Sequence, residues 1–228
     1  MRQADICLTD APGRDRLAAL GRDSVLPHGT PVHEIDVAEL AREGAHLRPE
    51  PSPAHDWICK VIHTSGTTSA PKGVRIRVDG LGALLRSLRD HIPSGASERY
   101  LSLVPLSLLI EQVTACYLTL LTGGTIVLLP TGATLLGTSP DALGAMLALM
   151  RAAKPTAMQG PPALYEAFAA IAGAHPEESG EQLSQRLFGH PEPAFLACGG
   201  APVAGVVLEA LWAAFRSEER RVGKECRS

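Results

Sequence analysis

Short apolar runs alternate with longer segments of helical periodicity through the second half of the chain, and this alternation restricts the possible folds more than any other feature. Strands that are buried between two layers of helices are apolar on both faces and form continuous apolar runs. The pattern predicts an α/β fold in which layered sheets are flanked by helices. The predicted strands are residues 100–104, 125–129, 156–159 and 194–198, and the predicted helices are 108–121, 140–153, 161–172 and 203–215.

The first part of the chain contains shorter predicted elements. Residues 4–9 and 32–36 are predicted as strands, and residues 14–20 as a short helix. Two further β-type runs, residues 57–63 and 73–78, are separated by a polar loop. We expect them to form a hairpin-like unit.

Polar residues indicate where some of these elements begin. Asp79 and Ser139 are predicted N-caps of helices over 80–91 and 140–153, because a short polar side chain can accept a hydrogen bond from a free amide. Residues 174–192 are polar and contain Gly and Pro, which predicts a surface loop or a short helix.

The loop between the two β-type runs combines five hydroxyl side chains, one glycine and one lysine in residues 64–72. Gly66 lets the backbone approach a ligand closely, and successive amides can form a concavity that binds anions. Lys72 adds a compact positive charge, so these groups suit a chain of phosphates. By composition alone the segment is more typical of a flexible hairpin loop. The predicted phosphate-binding residues are Thr64, Ser65, Gly66, Thr67, Thr68, Ser69 and Lys72.

Composition argues against several classes of protein. The net charge is −3 and no basic patch precedes the extreme C-terminus, which argues against nucleic-acid binding. The five cysteines are scattered and the histidines show no ligand spacing, so neither a disulfide framework nor a metal site is predicted. Because aromatic residues make up 4% of the chain, we expect Leu, Val, Ile and Ala to fill the core.

One uncharged segment, residues 112–140, raises the question of a membrane span. Gly123, Gly124 and Pro130 divide it into pieces that are too short to cross a bilayer as helices, so no stable membrane insertion is predicted. The N-terminus lacks the apolar stretch of a signal peptide. We therefore expect a cytoplasmic protein.

The order of the residues in the loop resembles a known signature. Residues 64–73 read T-S-G-T-T-S-A-P-K-G, which resembles the T-S-G-T-T-G-x-P-K-G signature of adenylate-forming (AMP-binding) enzymes. One position departs, since Ser69 replaces the second glycine. The chain is similar to the acyl-CoA synthetase type, which includes long-chain fatty acid–CoA ligases.

Four further segments resemble the same family in the family's order. Residues 101–112 resemble its L-P-L-x-H-x-x-E segment, with Leu108 where a histidine or an aromatic residue is common. Residues 121–129 and 154–165 resemble its L-x-x-G-x-x-V-V-L and P-T-x-x-x-x-V-P-x-x-Y segments, and residues 198–203 its S-G-G-A-P-L strand end. The resemblance implies an adenine side formed by Gly199, Gly200, Ala201 and Pro202, and an acyl pocket formed by Leu108, Glu111, Gln159 and Gly160.

The resemblance also implies a two-step reaction. A small-molecule carboxylic acid would attack the α-phosphate of ATP, with Mg²⁺ on the phosphates and Lys72 as the catalytic cation. Coenzyme A, or the phosphopantetheine of an acyl carrier protein, would then accept the acyl group. For Glu111 an exposed or capping carboxylate is an equal alternative, and for Tyr165 helix packing is the more common role.

Much of the family's machinery has no counterpart in this sequence. The Y-G-x-T-E segment, the ribose-binding aspartate and the C-terminal domain with its catalytic lysine are not found. We expect residues 1–215 to be a partial AMP-binding N-terminal domain that is inactive alone. Residues 216–228 match the conceptual translation of a sequencing adapter, so we expect a non-native tail there.

Two alternatives remain open at this point. A kinase or another NTPase would need a strand–loop–helix phosphate site, which the sequence does not suggest, because no glycine directly precedes Lys72. A non-catalytic binding or scaffold module derived from the synthetase fold would share the resemblance without the activity.

Overall fold

The computed structural model describes residues 7–9, 11–21, 30–34, 39, 42, 56–64, 72–130, 132–133, 141–198 and 201–215 of the 228-residue chain. The chain divides into two compact units, Met1–Asp79 and Gly80–Ser228.

The first unit contains two small sheets. Its elements are β1 (Cys7–Thr9), α1 (Ala11–Leu20), β2 (Val32–Glu34), β3 (Ile58–Thr64) and β4 (Lys72–Arg77). Strands β1 and β2 are parallel, and Arg14 of α1 forms an ion pair with Glu34 of β2. Among the described residues, the short strands and the helix predicted for this part of the chain are confirmed.

The second sheet of this unit is the predicted hairpin. Strands β3 and β4 pair antiparallel from Ile58, opposite Arg77, to Thr64, opposite Lys72. The register shifts between Ile58 and Lys60, which marks an irregularity at Cys59. The hairpin is therefore confirmed, and its strands extend further toward the loop than the sequence predicts.

The second unit begins within α2 (Val78–His91) and is built around four parallel strands in the order β6-β5-β7-β8. Helices lie between successive strands, so the predicted α/β class is confirmed. The elements are β5 (Arg99–Ser102), a helical segment made of α3 (Leu109–Glu111), π1 (Gln112–Leu118) and α4 (Thr119–Leu121), then β6 (Thr125–Leu128), α5 (Ala142–Ala153), β7 (Ala157–Gly160), α6 (Pro162–Ala174), α7 (Gly180–Phe188), β8 (Phe195–Cys198) and α8 (Gly205–Phe215).

The main core of this unit lies between one face of the sheet and the helices α5 to α8. Leu101 of β5 and Met158 of β7 are buried there against Met146 and Met150 of α5. The expectation of an aliphatic core is wrong in part, because the few aromatic residues are concentrated at this place. Tyr165 and Phe168 meet edge to face at a centroid distance of 5.9 Å, and Phe168 and Phe188 at 5.8 Å.

The other face of the sheet is covered by π1. Tyr100 and Ala157 of the sheet are buried against Ala115, and Ile126 and Phe195 pack around them. The sheet is thus covered on both faces, as its apolar strands predict. Among the described residues, no helix is both long enough and apolar enough to cross a membrane.

Two predicted N-caps differ from the structure. Helix α2 begins at Val78, so Asp79 lies in its first turn and pairs with Arg77 at 3.3 Å instead of capping the helix. Helix α5 has Asp141 as its N-cap, so the prediction of Ser139 as the cap is wrong; Ser139 itself lies outside the described residues.

The segment 174–192 contains α7, which confirms the short-helix alternative predicted for it. Leu183, Leu187 and Phe188 of this helix are buried.

Candidate active site

The two ends of the predicted phosphate loop meet at the end of the hairpin. Thr64 and Lys72 are directly opposed in the β3–β4 register. Directly opposed residues in an antiparallel pair have Cα atoms about 5 Å apart, so the first and last predicted phosphate-binding residues are neighbours along the backbone. The others, Ser65, Gly66, Thr67, Thr68 and Ser69, lie outside the described residues, and their role stays a prediction.

The carboxyl ends of three parallel strands form a second candidate region, in the other unit. Ser102 at the end of β5 is opposite Gln159 of β7, and Gly160 is opposite Cys198 at the end of β8. Open parallel sheets bind their ligands at this edge. The register therefore brings the predicted acyl residues Gln159 and Gly160 to the strand end that precedes the predicted adenine segment.

The predicted adenine segment follows β8 directly. Gly199 and Gly200 lie outside the described residues, whereas Ala201 and Pro202 are described and exposed. The Cys198 thiol lies 3.8 Å from the carbonyl oxygen of Ala201, to which it can donate a weak hydrogen bond. This contact keeps Ala201 close to the end of β8.

Gly160 permits close packing between β7 and α6. A Cβ atom at Gly160 would lie 2.8 Å from Leu164 Cδ2 and 3.5 Å from the Tyr165 hydroxyl. The hydroxyl of Tyr165 donates a hydrogen bond to the carbonyl oxygen of Ala197, which ties α6 to β8. Burial raises the pKa of Tyr165 far above its ordinary range. Tyr165 therefore has the packing role that the sequence favours.

The two other predicted acyl residues occupy different environments. Leu108 precedes α3 in an extended conformation and is 48% exposed. Glu111, at the end of α3, is 0% exposed. The alternative of an exposed carboxylate for Glu111 is therefore wrong. The structure does not gather all four predicted acyl residues on one surface.

The Glu111 carboxyl is held in a buried polar network between β5 and the helical segment. Tyr100 Oη lies 3.3 Å from Glu111 Oε2 and 3.0 Å from Thr114 Oγ1, and Thr114 Oγ1 donates to the Ile110 carbonyl at 2.9 Å. Burial raises the pKa of Glu111 from its ordinary value. Ser102 and the Val104 amide oppose this rise in pKa, but within the described part of the chain no hydrogen bond of ordinary geometry reaches Oε1.

Sequence reasoning missed three members of this network, Tyr100, Ser102 and Thr114. Tyr100 and Ser102 occupy alternate positions of an otherwise apolar strand and so lie on the same face of the sheet. Polar side chains at that spacing in a buried strand were a usable signal, because a buried polar group needs a hydrogen-bond partner.

A cavity of about 230 Å³ lies elsewhere, against the opposite face of the sheet. It is lined by the first residue of β5, the end of β6 and the last turns of α5, and none of the predicted site residues contributes to it. Its lining is mostly aliphatic, with Arg99 as the one charged side chain among the described lining residues.

Comparison with known proteins identifies relatives of this sequence and fold. A feruloyl-CoA synthase from Amycolatopsis sp is 30% identical over 204 residues, which cover 84% of this chain and 37% of that protein. A malonyl-CoA ligase in a ternary product complex with methylmalonyl-CoA and AMP has a similar fold, with a TM-score of 0.58, 22% identity, and coverage of 88% of this chain and 42% of that chain. McyG A-PCP complexed with phenylalanyl-adenylate is similar with a TM-score of 0.62, 20% identity, and coverage of 92% and 30%.

The family model for AMP-binding enzymes matches residues 6–223. The match runs through both β-type runs of the hairpin, the parallel sheet and the first residues of the segment 216–228, whose assignment as a non-native tail stays a prediction. The chain spans 37% of the length of the feruloyl-CoA synthase that it matches. With nearly its whole length matched, the chain belongs to the family of AMP-binding, adenylate-forming enzymes.

Proposed function

We propose that this chain is part of an AMP-forming ligase that activates a carboxylic acid and passes it to a thiol. In the first step a carboxylate oxygen attacks the α-phosphate of ATP, and pyrophosphate leaves. In the second step the thiol attacks the acyl carbon of the adenylate, and AMP leaves as the thioester forms. Membership of the family and the similarity to a feruloyl-CoA synthase support this reaction.

The pairing of Thr64 with Lys72 carries the proposal. It brings together the two strand residues at which the signature loop begins and ends. We assign Thr64–Ser69 and Lys72 to the outer phosphates of ATP. There the positive charge of Lys72 would offset the negative charge that builds up on the leaving pyrophosphate.

The other site assignments belong to the same proposal. Gly199, Gly200, Ala201 and Pro202 are assigned to the adenine, and Leu108, Glu111, Gln159 and Gly160 to the acyl group. The alignment of the carboxyl ends of β5, β7 and β8 supports the placement of Gln159 and Gly160 at a ligand-binding edge.

The carboxyl ends of β5, β7 and β8 offer few protein ligands for Mg²⁺. The residues that directly follow β5, β7 and β8 (103–111, 161–165 and 199–204) contain one carboxylate, Glu111. Mg²⁺ coordinates accessible anionic oxygens, and Glu111 is buried. No step of the proposed reaction is therefore assigned to a metal ion held by these residues.

The thiol acceptor and the location complete the proposal. Coenzyme A is favoured as the acceptor, because the 30% identical relative is named for a CoA thioester. The phosphopantetheine of an acyl carrier protein is the alternative. The carboxylic acid is assigned only as a class, and the location as the cytoplasm, where both ATP and coenzyme A are available.

Residues 1–215 are proposed as one part of the adenylation domain. Because the chain corresponds to 37% of the length of its relative, we propose that the 228 residues alone do not complete the reaction. The rest of a full-length protein would supply the remaining contacts to the adenylate.

The reaction is tested by carboxylate-dependent exchange of labelled pyrophosphate into ATP. The full-length protein that contains this chain is assayed with a panel of aliphatic, aromatic and amino acids. Exchange that requires one class of acid supports the proposal and identifies the substrate class. Tight ATP binding with no exchange across the panel would contradict the proposal and favour a non-catalytic binding module.

A further inference from the structure

Three hydrogen-bonding contacts connect the buried groups around Glu111 into a single chain. Thr114 Oγ1 and the Ile110 carbonyl are 2.9 Å apart, Tyr100 Oη and Thr114 Oγ1 are 3.0 Å apart, and Tyr100 Oη and Glu111 Oε2 are 3.3 Å apart. Tyr100 is 4% exposed and Thr114 is 9% exposed, so water has little access to these contacts.

The number of available hydrogens decides the direction of the chain. A carbonyl oxygen can only accept, so the hydroxyl hydrogen of Thr114 is directed to Ile110. Thr114 Oγ1 must then accept from Tyr100, which uses the single phenolic hydrogen. The remaining contact, between Tyr100 Oη and Glu111 Oε2, contains a hydrogen only if the carboxyl group carries one.

The opposite arrangement is less favourable. If Tyr100 donated to an ionised Glu111, two hydrogens would have to serve three contacts, and either the 3.0 Å contact between Tyr100 and Thr114 or the 2.9 Å contact between Thr114 and Ile110 would lack one. Both of these contacts are shorter than the 3.3 Å contact between Tyr100 and Glu111. A buried oxygen pair without a hydrogen loses its hydrogen bond and adds lone-pair repulsion.

The described surroundings of Glu111 supply no cation, although the Ser102 hydroxyl and the Val104 amide act against the rise in its pKa that burial causes. None of the ion pairs among the described residues includes Glu111. The titratable groups that face it from neighbouring elements are Tyr100 of β5 and Tyr165 of α6, and burial raises the pKa of both, which keeps them uncharged. An unpaired buried charge is costly, so neutralisation by a proton is the usual outcome.

The unpartnered oxygen of Glu111 also favours the neutral acid. Oε1 is buried and lacks a hydrogen-bond partner within the described residues. In a neutral acid this atom is a carbonyl oxygen, whereas in a carboxylate it shares a full negative charge. Leaving a neutral acceptor unpaired costs less than leaving a charged one unpaired.

We propose that Glu111 is a neutral carboxylic acid at pH 7, and that it donates its hydrogen to Tyr100 and so positions α3 against β5. The directional chain joins the end of α3 to β5 without placing a negative charge beside the end of that strand, where Ser102 faces the carboxyl. This inference concerns the buried network alone and is independent of the proposed reaction.

Infrared spectroscopy of the 228-residue chain tests the protonation state without any ligand. A protonated carboxyl group has a C=O stretch that is well separated from the bands of carboxylates. We expect this band in the wild-type chain at pH 7, its loss in Glu111→Gln, and its retention in Glu166→Gln, which replaces an exposed glutamate of α6. Absence of the band from the folded wild-type chain at pH 7 would overturn the proposal.

A second variant tests the direction of the hydrogen bond. Tyr100→Phe removes the acceptor of the carboxyl hydrogen, so the C=O band should persist but change frequency. An unchanged frequency would show that Glu111 does not donate to Tyr100. The wild-type spectrum decides the protonation state even if a variant does not fold. The infrared result does not depend on the outcome of the pyrophosphate-exchange assay, so the two proposals can fail separately.

Discussion

Lys72 is the side chain whose removal tests the phosphate assignment most directly. Lys72→Ala should weaken ATP binding by the 228-residue chain roughly tenfold to a hundredfold, because a hydrogen bond to a charged group contributes about 1.5–3 kcal/mol. Titration calorimetry measures the change. Arg75→Ala removes the same charge from an exposed position three residues along β4 and should leave the affinity nearly unchanged. Equal losses in both variants would show that only net charge matters.

Glu111 should also make the stability of the chain depend on pH. Its pKa is raised by burial from an ordinary value of 4.5, so above pH 4.5 the unfolded chain releases a proton that the folded chain still holds. The folded state then binds more protons, and the free energy of unfolding falls as pH rises toward the folded-state pKa. Glu111→Gln cannot titrate, so this part of the fall should be absent.

Denaturant unfolding at a series of pH values checks this prediction. The difference between the wild type and Glu111→Gln isolates the one carboxyl, because the other titratable groups are shared. Glu166→Gln should follow the wild-type curve, since Glu166 is exposed. Parallel curves for the wild type and Glu111→Gln would mean that the pKa of Glu111 is the same in both states.

At the scale of single residues, the sequence predicts chemical type better than environment. The hydroxyl-rich loop ending in Lys72 could be recognised because its order of residues is unusual. The contrast between buried Glu111 and exposed Leu108 could not, since three positions separate them and only the packing of α3 decides which is covered. Tyr100 was overlooked because a tyrosine in an apolar strand is most simply a core residue.

At the scale of elements, hydrophobic periodicity places the strands and helices to within a few residues. It does not reveal π1, because most positions of residues 108–121 are apolar and the pattern therefore fits an α-helix and a π-helix equally well. Thr119 Oγ1 donates to the Thr114 carbonyl at 3.0 Å, five residues back, and so satisfies an acceptor in this wider stretch. Such a contact depends on three-dimensional geometry and cannot be read from spacing.

The end of α7 gives a prediction at the same scale. Gly189 has a φ of +76°, and a Cβ atom there would lie 2.4 Å from the backbone oxygen of Arg151 in α5. Gly189→Ala should destabilise the chain by about 2 kcal/mol or more, because the left-handed conformation alone costs roughly 1–2 kcal/mol for a residue with a Cβ. The clash with α5 adds to that cost.

Gly173→Ala is the control variant for Gly189→Ala. Comparing the two by chemical denaturation separates the backbone strain and the clash at Gly189 from a general change in helix propensity. Gly173, in the last turn of α6, has open space around its Cβ position. Gly173→Ala should therefore stabilise the chain by about 0.5 kcal/mol, since alanine loses less backbone entropy in a helix. A loss of stability in Gly173→Ala, or none in Gly189→Ala, would contradict this account of the two positions.

At the scale of the whole molecule, the sequence predicts the α/β class and the hairpin, because both depend on local patterns. It does not predict that the chain divides after Asp79, close to the start of α2. Nor does it predict which apolar side chains stay exposed. Leu120, Leu121 and Leu128 are 63%, 65% and 59% exposed in the second unit, and Val206 is 73% exposed.

These exposed side chains should cause the 228-residue chain to associate with itself. Strand β6 lies at one edge of the described four-stranded sheet, and its Leu128 is exposed, which together favour edge-to-edge pairing. Sedimentation velocity over a series of concentrations should show a rising mean sedimentation coefficient. Leu128→Lys should reduce this rise, because a charged side chain on an edge strand opposes pairing with a second copy.

Thr125→Lys is the matched control, since it adds the same charge to an exposed position of β6 without removing an apolar side chain. If apolar contact drives association, Leu128→Lys reduces it more than Thr125→Lys. Equal reductions would assign the effect to charge repulsion along the edge. A single concentration-independent species for the wild type would show that the exposed leucines do not mediate association.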